Sequence, residues 1–337
     1  MILSITSILP LDCIIAIVAF AFQGIIYSFL ALSRDLSMLF KILPRSLIGS
    51  LSFLLHVINT FFWVIPIFVL AFFKVFLPLP PLRKILDRLL NASASNWISF
   101  NAFILKITKP IEWQIDLPKN ISVHDWYLVM ANHQSWVDIL VLQNTFNRKI
   151  PFLKFFLKQP LIWVPILGMA WWALDFPFMK RYSKSYIKKN PHKKGQDFKT
   201  TKKACEKFKT IPISIMNFAE GTRFTDAKHE QQKSPYTNLL KPKAGGIGYV
   251  LTLMGEEITK ILDVTIDYPN HHSPSFWDLM TGRLDKIIVT AKLIDIPEEV
   301  KGSYIENSQQ RKKVQKWVNQ LWQEKDKQLS LIREKEE

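Results

Sequence analysis

Apolar positions along this chain fall into two regimes. Residues 13–33 and 46–73 contain no Asp, Glu, Lys or Arg, and a stretch of roughly 20 such residues is enough to cross a hydrocarbon core. Arg34, Lys41 and Arg45 separate the two runs, and Lys74, Arg83, Lys84 and Arg88 follow the second. Pro66 predicts a break or kink in the second run, so a re-entrant or interfacial helix pair stands beside a single straight span. A pair of buried core helices is the other reading, which charge-free runs of this length disfavour. No basic residue precedes the first run, so it is a poor signal peptide. Met38 is an alternative start that removes the first run. The pattern divides the chain into residues 1–37, an extra hydrophobic helix and basic linker; 38–81, a membrane anchor or re-entrant helices; and 82–337, the globular domain.

After Pro78-Leu-Pro-Pro81 the apolar segments become short and alternate in type. Residues 82–108 mix apolar and basic positions and predict an amphipathic helix, either at the membrane surface or packed on the domain. Residues 115–123 predict a loop or weak strand. Residues 126–131 form an aromatic and apolar run that predicts a buried strand, and 139–146 a short helix. Strands are expected at 211–218, 261–268 and 286–296, and helices at 200–209 and 311–331. The last carries Val314, Trp317, Val318, Leu321 and Trp322 on one face. Strands interleaved with helices indicate an α/β domain with a mixed, largely parallel sheet flanked by helices.

Composition narrows the partners. The 337 residues carry a net charge of +16, which points to an anionic partner. The apolar N-terminal region and the absence of nucleic-acid-binding motifs favour a membrane surface and set nucleic acid aside. Twelve Lys or Arg residues between 180 and 209, opposed by Asp197 and Glu206, suit anionic headgroups or a solvated face. Cys13 and Cys205 lie far apart with no metal-ligand spacing, so neither a disulfide framework nor zinc is expected.

Candidate chemistry concentrates after two of the expected strands. Asn-His-Gln-Ser-Trp-Val-Asp at 132–138 puts His133 at a strand end and Asp138 in the first turns of the next helix, and strand ends are where ligands bind in α/β sheets. An imidazole takes a proton from an alcohol well when a carboxylate fixes its tautomer and stabilises the imidazolium. In isolation the short pattern better fits a histidine that merely caps the helix beside a solvated Asp138, and the rest of the chain shifts that balance. The strand at 211–218 leads into Ala219-Glu220-Gly221-Thr222-Arg223, where Gly221 permits close backbone approach and Arg223 offers a fork for phosphate oxygens. Lys180 and Arg181 close an aromatic run and suit a phosphate or a membrane edge. Lys243, before paired glycines, is either a further anion contact or a surface lysine.

Asn-His-Gln-Ser-Trp-Val-Asp at 132–138 and Phe-Ala-Glu-Gly-Thr-Arg at 218–223 resemble motifs of the 1-acylglycerol-3-phosphate acyltransferases, the PlsC-like family. Residues 157–181 resemble its acceptor-phosphate segment, and the bacterial YihG-like branch fits best. The resemblance implies a glycerolipid acyltransferase-like fold and transfer of an acyl group from a thioester to a lysophospholipid hydroxyl. His133 is then the general base and Asp138 its partner. Glu220, Gly221, Thr222 and Arg223, joined by Arg181 and Lys158, hold the acceptor phosphate region. It implies no metal and no cofactor, with acyl-CoA or acyl carrier protein as donor and membrane phospholipids as surroundings. The acceptor is expected to be 1-acyl-sn-glycerol 3-phosphate, with lysophosphatidylglycerol, lysocardiolipin or glycerol 3-phosphate as alternatives. The location is a bacterial inner membrane with the domain facing the cytoplasm. A thioester hydrolase and a non-catalytic basic membrane-binding protein are the competing functions. Ala219 stands where the family often has Pro, Lys180 where Asp is frequent, and residues 262–269 match its fourth motif poorly; these departures bear on the headgroup more than on the reaction.

Overall fold

In the computed structural model, placement is described for residues 40, 43–77, 79–109, 111–179, 189–190, 196–269, 271, 273–305 and 307–336. The first hydrophobic run, Met38, Lys180 and Arg181 lie outside the described residues.

The strands are β1 (Glu112–Asp116), β2 (Tyr127–Ala131), β3 (Leu153–Phe155), β4 (Leu157–Lys158), β5 (Phe178–Met179), β6 (Ser214–Phe218), β7 (Lys260–Asp267) and β8 (Lys286–Asp295). Six of them make one sheet in the order β1-β8-β7-β2-β6-β3, and β4 pairs with β5 in a separate ribbon. Every pairing is parallel except β7 with β8. The expected mixed, largely parallel sheet is therefore present. The sheet begins earlier than expected: residues 112–116 pair with β8, so the strand expected as one reading of 115–123 starts and ends sooner.

β2 lies at the centre with all five residues buried. Tyr127, Val129 and Ala131 point into one core, and Leu128 and Met130 into the other. A strand covered on both faces reads as a continuous apolar run, which is why 126–131 is legible in sequence. The first core is completed by α1 (Arg45–Phe76), α2 (Pro80–Thr108), α3 (Val137–Phe146) and α4 (Leu167–Ala173). The second is completed by α5 (Gln196–Phe208), α7 (Gly245–Met254) and α9 (Ser308–Glu336). Short helices α6 (Asp226–Gln232) and α8 (Phe276–Thr281) follow β6 and β7. α9 is pinned to β7 by Lys325, whose ammonium lies 2.9 Å from Asp263 Oδ1 and donates to the Val264 carbonyl at 2.5 Å.

Of the break or kink expected at Pro66, the break is absent: α1 runs for 32 residues with Pro66 inside it. It is long and apolar enough to cross a membrane, yet it is fastened to the domain along its length. Ser52 accepts from Lys109 Nζ at 2.8 Å, Asn59 donates to Asn101 at 2.9 Å, and Lys74 lies 2.6 Å from Asp87. Its buried positions, Gly49, Ser52, His56, Asn59, Trp63, Ile67 and Ala71, recur at helical spacing and include polar side chains. Its outer face carries exposed Leu54, Ile58, Phe61, Phe62, Ile65 and Phe72. Apolar side chains thus lie on both faces of the helix, and its exposed apolar face sets it apart from the buried core helix of the alternative reading. α2 packs along α1 and against α3, with Leu86, Leu90, Ala94, Ile98 and Leu105 buried, so domain packing accounts for it.

Candidate active site

The site forms where β2, β6 and β7 end side by side. Asn132 follows β2 and reaches across to β7: its amide donates to the Ile266 carbonyl at 2.8 Å and accepts from the Ile266 N–H at 2.9 Å. This pair of bonds extends the sheet by one rung and fixes where His133 leaves it. Ser135 then starts the turn into α3, accepting from Val137 N–H at 3.0 Å while its hydroxyl donates to the Pro274 carbonyl.

The turn folds Asp138 back onto His133. Asp138 is fully buried, and its Oδ2 lies 2.8 Å from His133 Nδ1. The same oxygen accepts the Gln134 N–H at 2.7 Å and the Ser135 N–H at 2.9 Å. Oδ1 accepts the Tyr268 hydroxyl at 2.6 Å. An ionised carboxylate is acceptor-only and can satisfy four donors. With three of the four contacts necessarily donors, Nδ1 completes the set as an N–H, which leaves Nε2 with its lone pair. The His133 side chain is 14 % exposed. The ring stacks on Phe218 at the end of β6, centroids 3.9 Å apart and planes 13° apart.

The Glu220–Arg223 corner is bonded directly to this loop. Glu220 Oε1 accepts the His133 N–H at 2.8 Å, and the Phe224 N–H donates to the His133 carbonyl at 2.7 Å. Glu220 Oε2 accepts the Leu240 N–H at 3.0 Å. Glu220 is 1 % exposed, so its carboxyl group faces inward and braces two loops, and its expected part in holding the acceptor phosphate region would be exercised through the loops it fastens. Burial pushes its carboxyl up to about 8, against the pull of the two backbone N–H groups, with Asp138 adding to the rise. Gly221 takes φ +69°, a left-handed conformation that a side chain would strain.

Arg223 is exposed, and its guanidinium lies over the Trp136 ring, 4.8 Å from the centroid. That contact draws the cation toward the turn that carries His133. Lys228, which sequence reasoning passed over, joins the corner: its ammonium donates to Thr222 Oγ1 at 3.0 Å and to the Arg223 carbonyl at 2.9 Å. Lys243 donates its backbone N–H to the Ala219 carbonyl at 2.7 Å and leaves its side chain exposed. Lys158 is exposed on β4, opposite Met179 in register, and Arg181 lies outside the described residues. The structure therefore brings together His133, Asp138, Glu220, Gly221, Thr222 and Arg223. Sequence reasoning missed Tyr268, Phe218 and Lys228. The sole signal for Tyr268 was its place at the end of an expected strand.

Comparison with known proteins agrees with this architecture. Residues 113–267 match the family described as Acyltransferase. The 1-acyl-sn-glycerol-3-phosphate acyltransferase delta of Homo sapiens is 24% identical over 299 residues, covering 81% of this chain and 72% of that protein. The Rattus norvegicus counterpart is 24% identical over 265 residues, 73% of this chain and 64% of its own. The gamma protein of Homo sapiens is 24% identical over 214 residues, 59% of this chain and 51% of its own. The chain thus spans from about half to about 72% of the length of these relatives. The crystal structure of the 1-acyl-sn-glycerophosphate (LPA) acyltransferase PlsC from Thermotoga maritima shares the fold. Its TM-score is 0.51 at 16% identity, over 85% of this chain and 98% of that one.

Proposed function

We propose that this chain is a PlsC-like O-acyltransferase that acylates a lysophospholipid at a membrane surface, a reading that the acyltransferase family match and the similarity to 1-acyl-sn-glycerol-3-phosphate acyltransferases support. The acceptor is 1-acyl-sn-glycerol 3-phosphate and the product phosphatidic acid. The donor is a fatty acyl thioester, either acyl-CoA or acyl carrier protein.

The reading rests on one observation: an imidazole whose Nδ1 lies against the buried Asp138 carboxyl group, bonded through its backbone to a corner bearing Arg223 and Lys228. His133 Nε2 takes the proton of the acceptor hydroxyl as its oxygen attacks the thioester carbonyl. The carbon–sulfur bond then breaks, and the imidazolium returns the proton to the leaving thiolate. Such a positioned base contributes about 10²–10⁴ in rate. Arg223 offers a fork to the acceptor phosphate, while Glu220 holds the His133 loop from behind. Arg181 and Lys158, the latter exposed on β4, are the further candidates for that phosphate.

Helix α1 supports a membrane-bound state. Its apolar outer face suits lipid, while the domain packed along its inner face favours a helix lying in the interface over one crossing it upright. On this reading the domain works at the cytoplasmic face of a bacterial inner membrane, its basic surface toward anionic headgroups.

The test is transfer of a labelled acyl group by the purified full chain in mixed micelles, from either donor, to lysophosphatidate, lysophosphatidylglycerol, lysocardiolipin and glycerol 3-phosphate. Highest kcat/KM for lysophosphatidate, with label in phosphatidic acid, is the expected result. Release of free fatty acid at a rate indifferent to acceptor would convert the assignment to a thioester hydrolase.

A further inference from the structure

Asp138 is held unequally at its two oxygens. Oδ2 carries three contacts, to His133 Nδ1, Gln134 N–H and Ser135 N–H, all from its own turn. Oδ1 carries the Tyr268 hydroxyl at 2.6 Å. Tyr268 follows β7, 130 residues away in sequence, and is 1 % exposed. The backbone donors fix where Oδ2 sits, but a carboxylate anchored at one oxygen can still rotate about it. The tyrosine bond removes that freedom and holds the carboxylate plane while Oδ2 faces the imidazole. It also withdraws charge density from the group that must stabilise an imidazolium.

We infer that Tyr268 is a positioning residue of the acyl-transfer site, acting through Asp138 to orient His133 and to moderate its basicity. The inference rests on the reading of His133 as the base. The other charged groups adjoining the pair are committed elsewhere. Asp267, next to Tyr268, binds Arg333 at 2.9 and 3.1 Å, and Glu220 binds two backbone N–H groups. Lys325, whose charge reaches Glu220, is paired with Asp263. None of these replaces the phenol at Oδ1.

Tyr268→Phe keeps the ring and removes one hydrogen bond to a charged group, which lowers kcat by roughly 10–100-fold. The acceptor KM stays within about twofold, because Tyr268 is buried behind Asp138 and away from the substrates. Without the phenol the carboxylate is a stronger acceptor for the imidazolium. The acidic limb of the kcat/KM–pH profile, which reports the free enzyme's base, therefore moves up by about half to one pH unit. Replacing Tyr268 with 2,3-difluorotyrosine preserves shape and strengthens the donor, so the same limb moves down; this variant serves if Tyr268→Phe folds poorly. A wild-type profile with wild-type kcat in either variant overturns the inference. So does a kcat loss that tracks lowered Tm with the acidic limb unmoved, which marks a packing role alone. His133→Ala in the same series separates the layers. Retained turnover there removes the base reading itself. An inactive His133→Ala beside a wild-type Tyr268 series removes the positioning role alone.

Discussion

Glu220 illustrates how much a residue's type leaves open about its place. In sequence it sits between Ala219 and Gly221 before Arg223, and it invites assignment to the phosphate site with them. In the fold both its oxygens accept backbone N–H groups, from His133 and Leu240. A glutamine could accept one of these and would turn its own donor against the other, so Glu220→Gln is expected to cost about 1–3 kcal/mol of stability. The carboxyl is raised from the ordinary 4.5 to about 8 by burial. Between those values the folded state holds a proton that the unfolded chain has released. The stability tied to Glu220 is therefore complete below pH 4.5 and is lost as pH rises through 8. Melting temperatures of the wild type measured across that range are expected to fall with pH, with Glu220→Gln showing a flatter curve; parallel curves would refute the assignment. His133 and Asp138 were legible because their pairing is local, closed by one turn. Tyr268 and Phe218 were not, since what joins them to His133 is strand register, and side-chain spacing along the chain does not encode it.

At the scale of elements, α1 carries the main surprise. Its lack of charge was plain in the sequence; a break or kink was expected at the proline, and the helix continues through Pro66 without a break. Proline removes one N–H bond to the residue four earlier, and here that residue is Phe62, on the exposed face. The polar residues Ser52, His56 and Asn59 lie on the buried side, which a hydropathy reading averages away. If the outer face meets lipid, charges placed there should be costly, at up to about 2.5–3.5 kcal/mol per site on insertion scales. Phe61→Asp combined with Ile65→Asp, both at positions more than half exposed, is expected to move the chain out of the floating fraction in liposome flotation while circular dichroism stays unchanged. Undiminished flotation would show that α1 is not the membrane contact. The short strands and helices between residues 150 and 180 were the least readable elements, because two- and three-residue strands are defined by their partners more than by periodicity.

Over the whole molecule, the parallel sheet covered on both faces explains why most strands announced themselves as apolar runs, and why the site falls at their shared C-terminal edge. The long C-terminal helix was readable from its apolar stripe, but its anchor was not. Lys325 is 1 % exposed and bonds Asp263 and two further acceptors on β7. Breaking a buried pair strands one charge, so Lys325→Ala is expected to lower unfolding free energy by about 3–5 kcal/mol in denaturant titration. Lys325→Met with Asp263→Leu should recover much of that loss; no recovery would argue against the pair as the cause.

The most direct measurement of the central claim is single-turnover acyl transfer to lysophosphatidate by wild type and His133→Ala, each shown to float equally with liposomes and to melt alike. The account predicts transfer slowed by about 10²–10⁴ in the variant with membrane binding intact. Transfer at the wild-type rate without this imidazole would contradict it.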